Sequence, residues 1–155
     1  MNKELKRRHI VAGVHGSPAS LAALRWAARE AELREVGLLV VRAWEDQSKA
    51  RAPYASHAGQ WALEEDRLMA GARLAEAVRG TLDDLSAVTV TVKVAEGLPA
   101  RVLLDHADGA ELLVLGSGAT AGPQAVGPVA QACLRRAPCP VVVVSAAMAG
   151  VPVPA

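Results

Sequence analysis

The chain has 155 residues, the length of one ordinary domain, and 52% of them are hydrophobic, so it can bury a full core. A formal net charge of +1 gives no electrostatic case for nucleic acid or for an acidic partner. The two cysteines, Cys133 and Cys139, form neither a disulfide framework nor a zinc-ligand spacing, which favours reduced thiols. No apolar run is long enough to span a membrane, and the N-terminus lacks the long apolar region of a signal peptide. The sequence therefore predicts a cytoplasmic protein without membrane contact.

The first third of the chain predicts two strands with a helix between them. Residues 9–14 form a short apolar run, and Ser17 followed by Pro18 predicts a helix N-cap and the first helical position. The helix is expected to end near residue 36, and the residues of its apolar stripe are Leu21, Leu24, Ala28 and Ala31. Residues 38–44 predict a second strand, whose continuous apolar part favours burial on both faces.

The middle of the chain predicts a polar loop, a long helix, an edge strand and a short helix. Residues 45–60 have the polar composition of a surface loop. Residues 61–82 predict a helix whose apolar spacing falls on Leu68, Ala72, Ala75, Val78 and Leu82. Residues 88–94 alternate between apolar and polar side chains, which favours a strand at a sheet edge with one wetter face. Pro99 lies near the start of a short helix that is expected to end near residue 106.

Residues 111–145 carry the most informative pattern in the sequence. An apolar run at 112–116 ends in a glycine-rich loop, a helix is predicted at 126–136, and a strand is predicted at 141–145. This order is typical of a βαβ unit in a parallel sheet. Because glycines let backbone N–H groups approach a ligand and the next helix N-terminus favours anions, the loop predicts a phosphate site.

The alternation of strands and helices predicts the fold class. It implies right-handed crossovers and an α/β fold, with a five-stranded, doubly wound parallel sheet and helices on both faces. One domain at 9–145 is expected, between a flexible N-terminus at 1–8 and a flexible C-terminal tail at 146–155.

Four stretches together resemble the single-domain bacterial members of the universal stress protein family over residues 9–145. They are VAGVHGSPASLAALRWAA at 11–28, VVRAW at 40–44, GLPARVLL at 97–104, and LVLGS at 113–117 with GPVAQACLRRAPCPVVVV at 127–144. The resemblance implies a Rossmann-like, adenine nucleotide α-hydrolase-like fold with strand order 3-2-1-4-5. It also implies a ligand cleft between strands 1 and 4, where the strand order reverses.

Many members of the family bind ATP through a motif after strand 4, Gly-x-x-Gly-x9-Gly-Ser/Thr, whereas others lack it. In this chain Gly116 matches the first glycine and Gly127 the third. Ala119 stands where the second belongs, with Gly118 beside it, and the loop is about two residues shorter than the pattern. Pro128 stands where the hydroxyl residue is expected, which removes one N–H donor and one side-chain donor.

His15 is the second departure, because the family usually has an aspartate at the end of strand 1. A neutral imidazole offers one acceptor and an imidazolium offers none, although a charged His15 would instead meet a phosphate. Ser117 and Thr120 are candidate hydroxyl donors in compensation. Val129 and Ala130 would present N–H groups at the helix start.

The ligand that the resemblance implies is ATP or AMP, with Mg²⁺ only if ATP is bound. Ser17 also fits the simpler role of a helix cap, and Ala43 fits either a contact to the base or the core. The candidate cofactor-binding residues are Gly13, His15, Ser17, Ala43, Gly116, Ser117, Gly118, Thr120, Gly127, Pro128, Val129 and Ala130. The histidines have no metal-ligand spacing, and no acid–base constellation is visible. We therefore expect no metal site and no enzyme, with at most slow, incidental ATP hydrolysis.

The last strand carries a separate signal for self-association. Its residues Val141, Val142, Val143 and Val144 are apolar on both faces, and the strand is expected at a sheet edge. Because an open apolar edge invites pairing with another chain, we expect a homodimer through this strand, as the resemblance also implies.

Two functions stay open at this point. The first is a stress-response regulator that binds adenine nucleotide weakly in the cleft and acts on an unidentified protein partner. The alternative is a dimeric interaction module whose degenerate pocket no longer binds ATP. The glycine loop before a helix favours the first, whereas Pro128, His15 and Ala119 favour the second.

Overall fold

The computed structural model describes residues 8–45, 57–82, 87–118 and 126–145, with only the backbone for 57–64. In chain order the elements are β1 (His9–Gly13), α1 (Pro18–Arg34), β2 (Gly37–Trp44), α2 (His57–Thr81), β3 (Val90–Glu96), α3 (Pro99–Ala107), β4 (Leu112–Gly116), α4 (Pro128–Arg136) and β5 (Val141–Val144). The strands form one parallel sheet in the order β3-β2-β1-β4-β5. This confirms the predicted α/β fold, its strand order and the edge positions of β3 and β5.

Some predicted segments lie outside the described residues. These are most of the two termini that were expected to be flexible and most of the predicted 45–60 loop. In the described part of the chain, no helix combines the length and the apolar character that a membrane crossing requires.

Two predicted boundaries differ from the structure. The second helix begins at His57, so the predicted loop at 45–60 overlaps its first turn. The third strand is Val90–Glu96 and not residues 88–94, because β3 pairs along β2 as far as the partners Trp44 and Glu96. The ladder hydrogen bonds to β2, more than the apolar alternation, determine where this strand ends.

The sheet register brings the strand ends that matter to one edge. Ile10 of β1 lies beside Leu38 of β2 and Leu112 of β4. Because the strands are parallel, their carboxyl ends meet at the same edge, where β1 ends at Gly13 and β4 ends at Gly116. The strands β2 and β3 follow on one side of β1, whereas β4 and β5 follow on its other side. The strand order therefore reverses between β1 and β4.

The helices cover both faces of the sheet. One core cluster contains residues of α1 and α2, and a second contains residues of α3 and α4. Ala23, Ala27 and Ala31 of α1 are fully buried, and their small side chains let this helix lie close to the strands. The chain has no phenylalanine, so valine, leucine and alanine fill this core.

The apolar stripe predicted for α2 is wrong in its first half. Leu68 is 70% exposed and Ala72 is exposed, whereas Ala70 and Leu74 are buried. The predicted series and the observed series of Ala70, Leu74 and Val78 both have helical spacing, and they share Val78, which is buried. The packing of α2 on the sheet selects between them, and the sequence periodicity does not.

Candidate functional site

A cavity of about 210 Å³ lies at the carboxyl edge of the sheet, between β1 and β4. The predicted binding residues that line it are Gly13, His15, Ala43, Gly116, Gly118, Gly127, Pro128, Val129 and Ala130. Its other lining residues are Val14, Val41, Pro99, Leu103 and Leu115. The structure therefore brings most of the predicted site together. The five additional residues are apolar. Val14, Pro99 and Leu115 lie next to the ends of β1, α3 and β4, from which they could have been predicted, whereas Val41 and Leu103 lie within β2 and α3.

Three predicted residues are not among the described residues that line the cavity. Ser17 and Ser117 are not among the residues that line the cavity, and Thr120, like Ala119, lies outside the described residues. Ser117 is only 3% exposed, and its backbone N–H donates to the Val144 carbonyl at 2.8 Å. In this position Ser117 ties the end of β4 to β5.

Gly116 is required by the space between β4 and α1. A Cβ atom at this position would lie 2.7 Å from the Ser20 nitrogen and 2.8 Å from the Ala19 carbonyl carbon. Both neighbours are backbone atoms of the first turn of α1, so a flexible side chain cannot absorb the clash. The glycine lets the start of α1 pack directly against the strand end that forms the cavity wall.

The two described ends of the glycine loop are bonded to each other. The Gly127 N–H donates to the Ser117 carbonyl at 2.7 Å. Gly118 has a φ of +63°, a left-handed conformation that favours glycine. A Cβ atom at Gly127 would lie 2.7 Å from the Gly118 carbonyl oxygen, so both glycines are needed for this closure. As a consequence, the Gly127 N–H already has a partner within the protein.

The first turn of α4 supplies two peptide donors to the cavity wall. Gly127 is the N-cap and provides no side-chain cap, and Pro128 has no N–H. The intrahelical bonds begin with the Gln131 N–H, which donates to the Gly127 carbonyl at 3.0 Å. The N–H groups of Val129 and Ala130 therefore have no acceptor within the helix. Both residues line the cavity.

A network of serines holds the turn between β1 and α1. Ser17 is the N-cap of α1, and its Oγ accepts the Ser20 N–H at 3.2 Å. The Oγ of Ser20 accepts the Gly16 N–H at 3.1 Å and donates to the Ser17 carbonyl at 2.9 Å. Ser20 is fully buried and was not predicted as a site residue. Its position three residues after the N-cap is the one sequence signal that could have found it.

His15 lies on this turn at the mouth of the cavity. Its side chain is exposed, and its Nε2 lies 3.3 Å from the Ser17 Oγ. Gly16, the next residue, has a φ of +99°, which lets the chain turn sharply into α1. The cap and the turn therefore fix the place from which the imidazole reaches the cavity.

The starts of the helices beside the cavity favour an anionic group. The helices α1, α3 and α4 each have a proline in the first turn and no acidic residue there. Nothing in these first turns offsets the positive ends of the helix dipoles. Pro99 and Pro128 line the cavity, so the starts of α3 and α4 lie at its wall. Among the described lining residues, His15 is the one with an ionisable side chain. The arrangement suits an anionic group and offers it no repelling carboxylate from the wall.

The opposite part of the cavity is apolar and narrow. A Cβ atom at Gly13 would lie 2.7 Å from the Leu115 Cδ2 and 2.9 Å from the Leu103 Cδ2, so these leucines close over the end of β1. The volume of about 210 Å³ is below the ~300 Å³ at which ligand pockets usually begin. A flat base against Val41 and Ala43 would need these leucine side chains to adjust.

The described residues offer no cluster of three or more His, Cys, Asp or Glu side chains that could hold a metal ion. The predicted absence of a metal site concerns the whole chain and stays a prediction.

The sequence matches the model of the universal stress protein family over residues 6–145. The chain therefore belongs to this family. It is 34% identical over 161 residues to the universal stress protein Rv2005c of Mycobacterium tuberculosis, a match that covers 99% of this chain and 53% of the relative. Identity to Rv2623 of the same organism is 31% over 140 residues, with 87% and 46% covered. The chain spans about half the length of these relatives.

Solved structures of the family share the fold. UspA from Lactobacillus plantarum is 26% identical, with a TM-score of 0.70 over 88% of this chain and 97% of the other. A universal stress protein in complex with cAMP is 21% identical, with a TM-score of 0.61 over 89% and 96%. A family member from Arabidopsis thaliana with AMP bound is 16% identical, with a TM-score of 0.61 over 88% and 90%. At these last two identities the likeness shows the fold alone.

Proposed function

We propose that this universal stress protein is a stress-response regulator that binds an adenine nucleotide, ATP or AMP, in the cavity between β1 and β4. The observation that carries the proposal is the first turn of α4, where the N–H groups of Val129 and Ala130 lie at the wall of an otherwise apolar cavity. The amides suit a phosphate, and the apolar wall suits a base. Family structures with cAMP and AMP support the choice of ligand.

The binding is expected to be weak, because three donors of the phosphate side are missing. The Gly127 N–H is occupied by the Ser117 carbonyl, and Pro128 has neither an N–H nor a hydroxyl. A hydrogen bond to a charged group contributes about 1.5–3 kcal/mol, so each loss lowers affinity about tenfold or more. The amides of Val129 and Ala130 remain as donors for a phosphate group. Mg²⁺ is expected only with ATP.

A cavity-filling variant with a matched control tests this proposal. Ala43 lines the cavity, whereas Ala95 pairs with it in register on β3, packs on the same face and does not line the cavity. Calorimetric titration with AMP, and with ATP and Mg²⁺, is expected to detect binding to the wild type and to Ala95→Leu. Ala43→Leu is expected to bind neither nucleotide. Equal binding by both variants would place the ligand elsewhere.

The alternative function is a dimeric interaction module with a degenerate pocket. The small cavity and the occupied Gly127 N–H favour it. The two functions are separated by the nucleotide content of the purified protein, read by absorbance and mass after denaturation, together with the titrations. If the protein carries no nucleotide and binds none, the interaction module is the better description. We assign no catalytic step to the site under either function.

We also propose that two copies pair through β5 into a homodimer. The Pro140 carbonyl accepts a hydrogen bond from the Leu113 N–H, and the Val144 carbonyl accepts one from the Ser117 N–H, so both carbonyls face the β4 side. The N–H and C=O groups of one strand residue point to the same side, and successive residues alternate between the two sides. Since Pro140 and Val144 face β4, the N–H and C=O of Val143 face the outer edge of β5. The strand side chains are only partly buried up to this residue. In the described part of the chain no further strand pairs with β5, and this edge is the feature that supports pairing with a second copy.

The dimer has its own backbone test. Val143→Pro removes an outward N–H, whereas Val143→Thr keeps it with a side chain of nearly the same shape. Light scattering after size exclusion is expected to give a dimer for the wild type and for Val143→Thr, and a monomer for Val143→Pro. A monomeric wild type at micromolar concentration would remove the proposal.

We also propose that this protein lies in the cytoplasm and acts there on an unidentified protein partner.

A further inference from the structure

Gly13 leaves a gap in the strand layer that forms one side of the cavity. Its register partners are Val41 of β2 on one side and Leu115 of β4 on the other. Side chains of register partners lie on the same face of a sheet, and Val41 and Leu115 both belong to the core cluster that contains residues of α3 and α4. All three residues line the cavity. Because glycine has no side chain, the middle of this row is open to a group from the helix layer.

Leu103 of α3 fills this gap. A Cβ atom at Gly13 would lie 2.9 Å from the Leu103 Cδ2 and 3.2 Å from its Cδ1, so both methyl groups lie over the glycine. Pro99 opens α3 and lies four residues before Leu103, on the same face of the helix, and both line the cavity. Since α3 joins two parallel strands, it runs back from the carboxyl edge of the sheet. Leu103 therefore lies about 6 Å deeper than Pro99.

The place of Leu103 accounts for the small volume of the cavity. The volume is about 210 Å³, against the ~300 Å³ at which ligand pockets usually begin. Leu115 also approaches Gly13, but it is a residue of the strand layer itself, whereas Leu103 comes from the helix layer opposite. A flat base that lay on Gly13 and Val41 would occupy the space of the Leu103 methyl groups.

We infer that Leu103 determines how much room the site gives a nucleotide base, and that it lowers the affinity for adenine nucleotides by occupying the place of the base. This inference rests on the proposed nucleotide site. In the wild type a base has to displace the leucine side chain, which costs part of the binding free energy. A shorter side chain at position 103 leaves an apolar space that a base can fill without displacing a protein group. Such a variant should bind AMP more tightly than the wild type, although it loses core packing.

Calorimetric titration with AMP tests the inference in the wild type, Leu103→Ala and Leu103→Val. Leu103→Ala is expected to bind AMP about tenfold more tightly than the wild type, which corresponds to about 1.4 kcal/mol. Leu103→Val removes less of the side chain and is expected to gain about threefold. It also loses less core packing, so it provides the result where Leu103→Ala does not fold. Ribose 5-phosphate has the same sugar and phosphate without the base, and its affinity should be the same in all three proteins.

Leu113 provides the matched control. It is fully buried in the same core cluster, on β4, and is not among the described residues that line the cavity. Leu113→Ala and Leu113→Val should lower the midpoint of urea denaturation, as the Leu103 variants do. Their affinity for AMP should equal that of the wild type. The comparison separates the loss of packing, which both positions share, from the gain of space, which belongs to Leu103.

Each other outcome has a defined meaning. A wild type that binds AMP at least as tightly as the Leu103 variants would overturn the role of Leu103 and leave the nucleotide site standing. A gain shared by the Leu113 variants, or by ribose 5-phosphate, would also overturn it, because the cause would be a looser core or a space not used by the base. AMP binding by the Leu103 variants and not by the wild type would support the inference and refute nucleotide binding by the wild type. If none of these proteins binds AMP, the proposed function is refuted and the inference with it.

Discussion

Replacing Gly116 by alanine is expected to destabilise the fold by about 1–3 kcal/mol, because the added methyl group has no space. The new Cβ atom would lie 2.7 Å from the Ser20 nitrogen and 2.8 Å from the Ala19 carbonyl carbon. Ordinary contacts begin at 3.4 Å, so α1 would have to move away from β4 by several tenths of an ångström. Both contacts are to backbone, so no side-chain rotation relieves them.

The same displacement should also disturb the cavity. The Ser20 N–H donates to the Ser17 Oγ, and the Ser20 side chain holds the turn that carries His15. Gly116→Ala is therefore expected to weaken nucleotide binding as well as stability. A purely local loss of a ligand contact would lower affinity and leave the free energy of unfolding unchanged.

Urea denaturation with linear extrapolation measures the effect, and Gly80 provides the matched control. Gly80 lies in α2 near its end, and a Cβ atom there would meet nothing within 4 Å. Gly80→Ala is expected to stabilise the protein by up to about 1 kcal/mol through helix propensity. If Gly116→Ala unfolds at the same urea concentration as the wild type, the close packing of α1 on β4 is refuted.

Three further predictions concern the cap, the phosphate side and the thiols. Ser20→Ala removes the acceptor of the Gly16 N–H, and because water can reach the exposed Gly16 the fold is expected to lose about 0.5–1.5 kcal/mol in urea denaturation; an unchanged midpoint would contradict this. Pro128→Ser restores an N–H and a hydroxyl at the cavity wall, so its affinity for AMP should rise about tenfold by calorimetry, with Pro128→Ala, which restores only the N–H, in between. Equal affinities of the three proteins would show that this position does not meet the phosphate. Burial raises the pKa of the Cys133 and Cys139 thiols, which lowers their thiolate fraction at about pH 8. Both should react with iodoacetamide more slowly than free cysteine, Cys139 before the fully buried Cys133, and reaction of both at the rate of free cysteine would contradict their burial.

Local sequence patterns were sufficient for most of the fold. Apolar runs bounded by glycine and proline marked the strands, and Ser17 with Pro18 marked the start of α1, where the structure shows the cap. The strand order required the family resemblance, because several orders are compatible with the same alternation of elements. The stripe of α2 could not be predicted, because Leu68 and Ala70 both belong to apolar series with helical spacing.

The site was predictable in position and only partly in chemistry. The glycine loop and the following helix were predicted to form the site, and Gly116 and Gly127 line the cavity. Their role in binding a ligand stays a prediction. The sequence did not reveal that the Gly127 N–H donates to the Ser117 carbonyl, since such a bond depends on the path of the loop. It also did not reveal that Leu103 and Leu115 narrow the cavity over Gly13, because these contacts join residues far apart in the chain.

The most direct test of nucleotide binding at α4 is an NMR titration of ¹⁵N-labelled protein with AMP. The amides of Val129 and Ala130 should show the largest shifts, because they have no acceptor within the helix and line the cavity. The Gly127 amide, already bonded to Ser117, should shift less. Saturating AMP that leaves the Val129 and Ala130 amides unmoved would contradict a nucleotide site in this cavity.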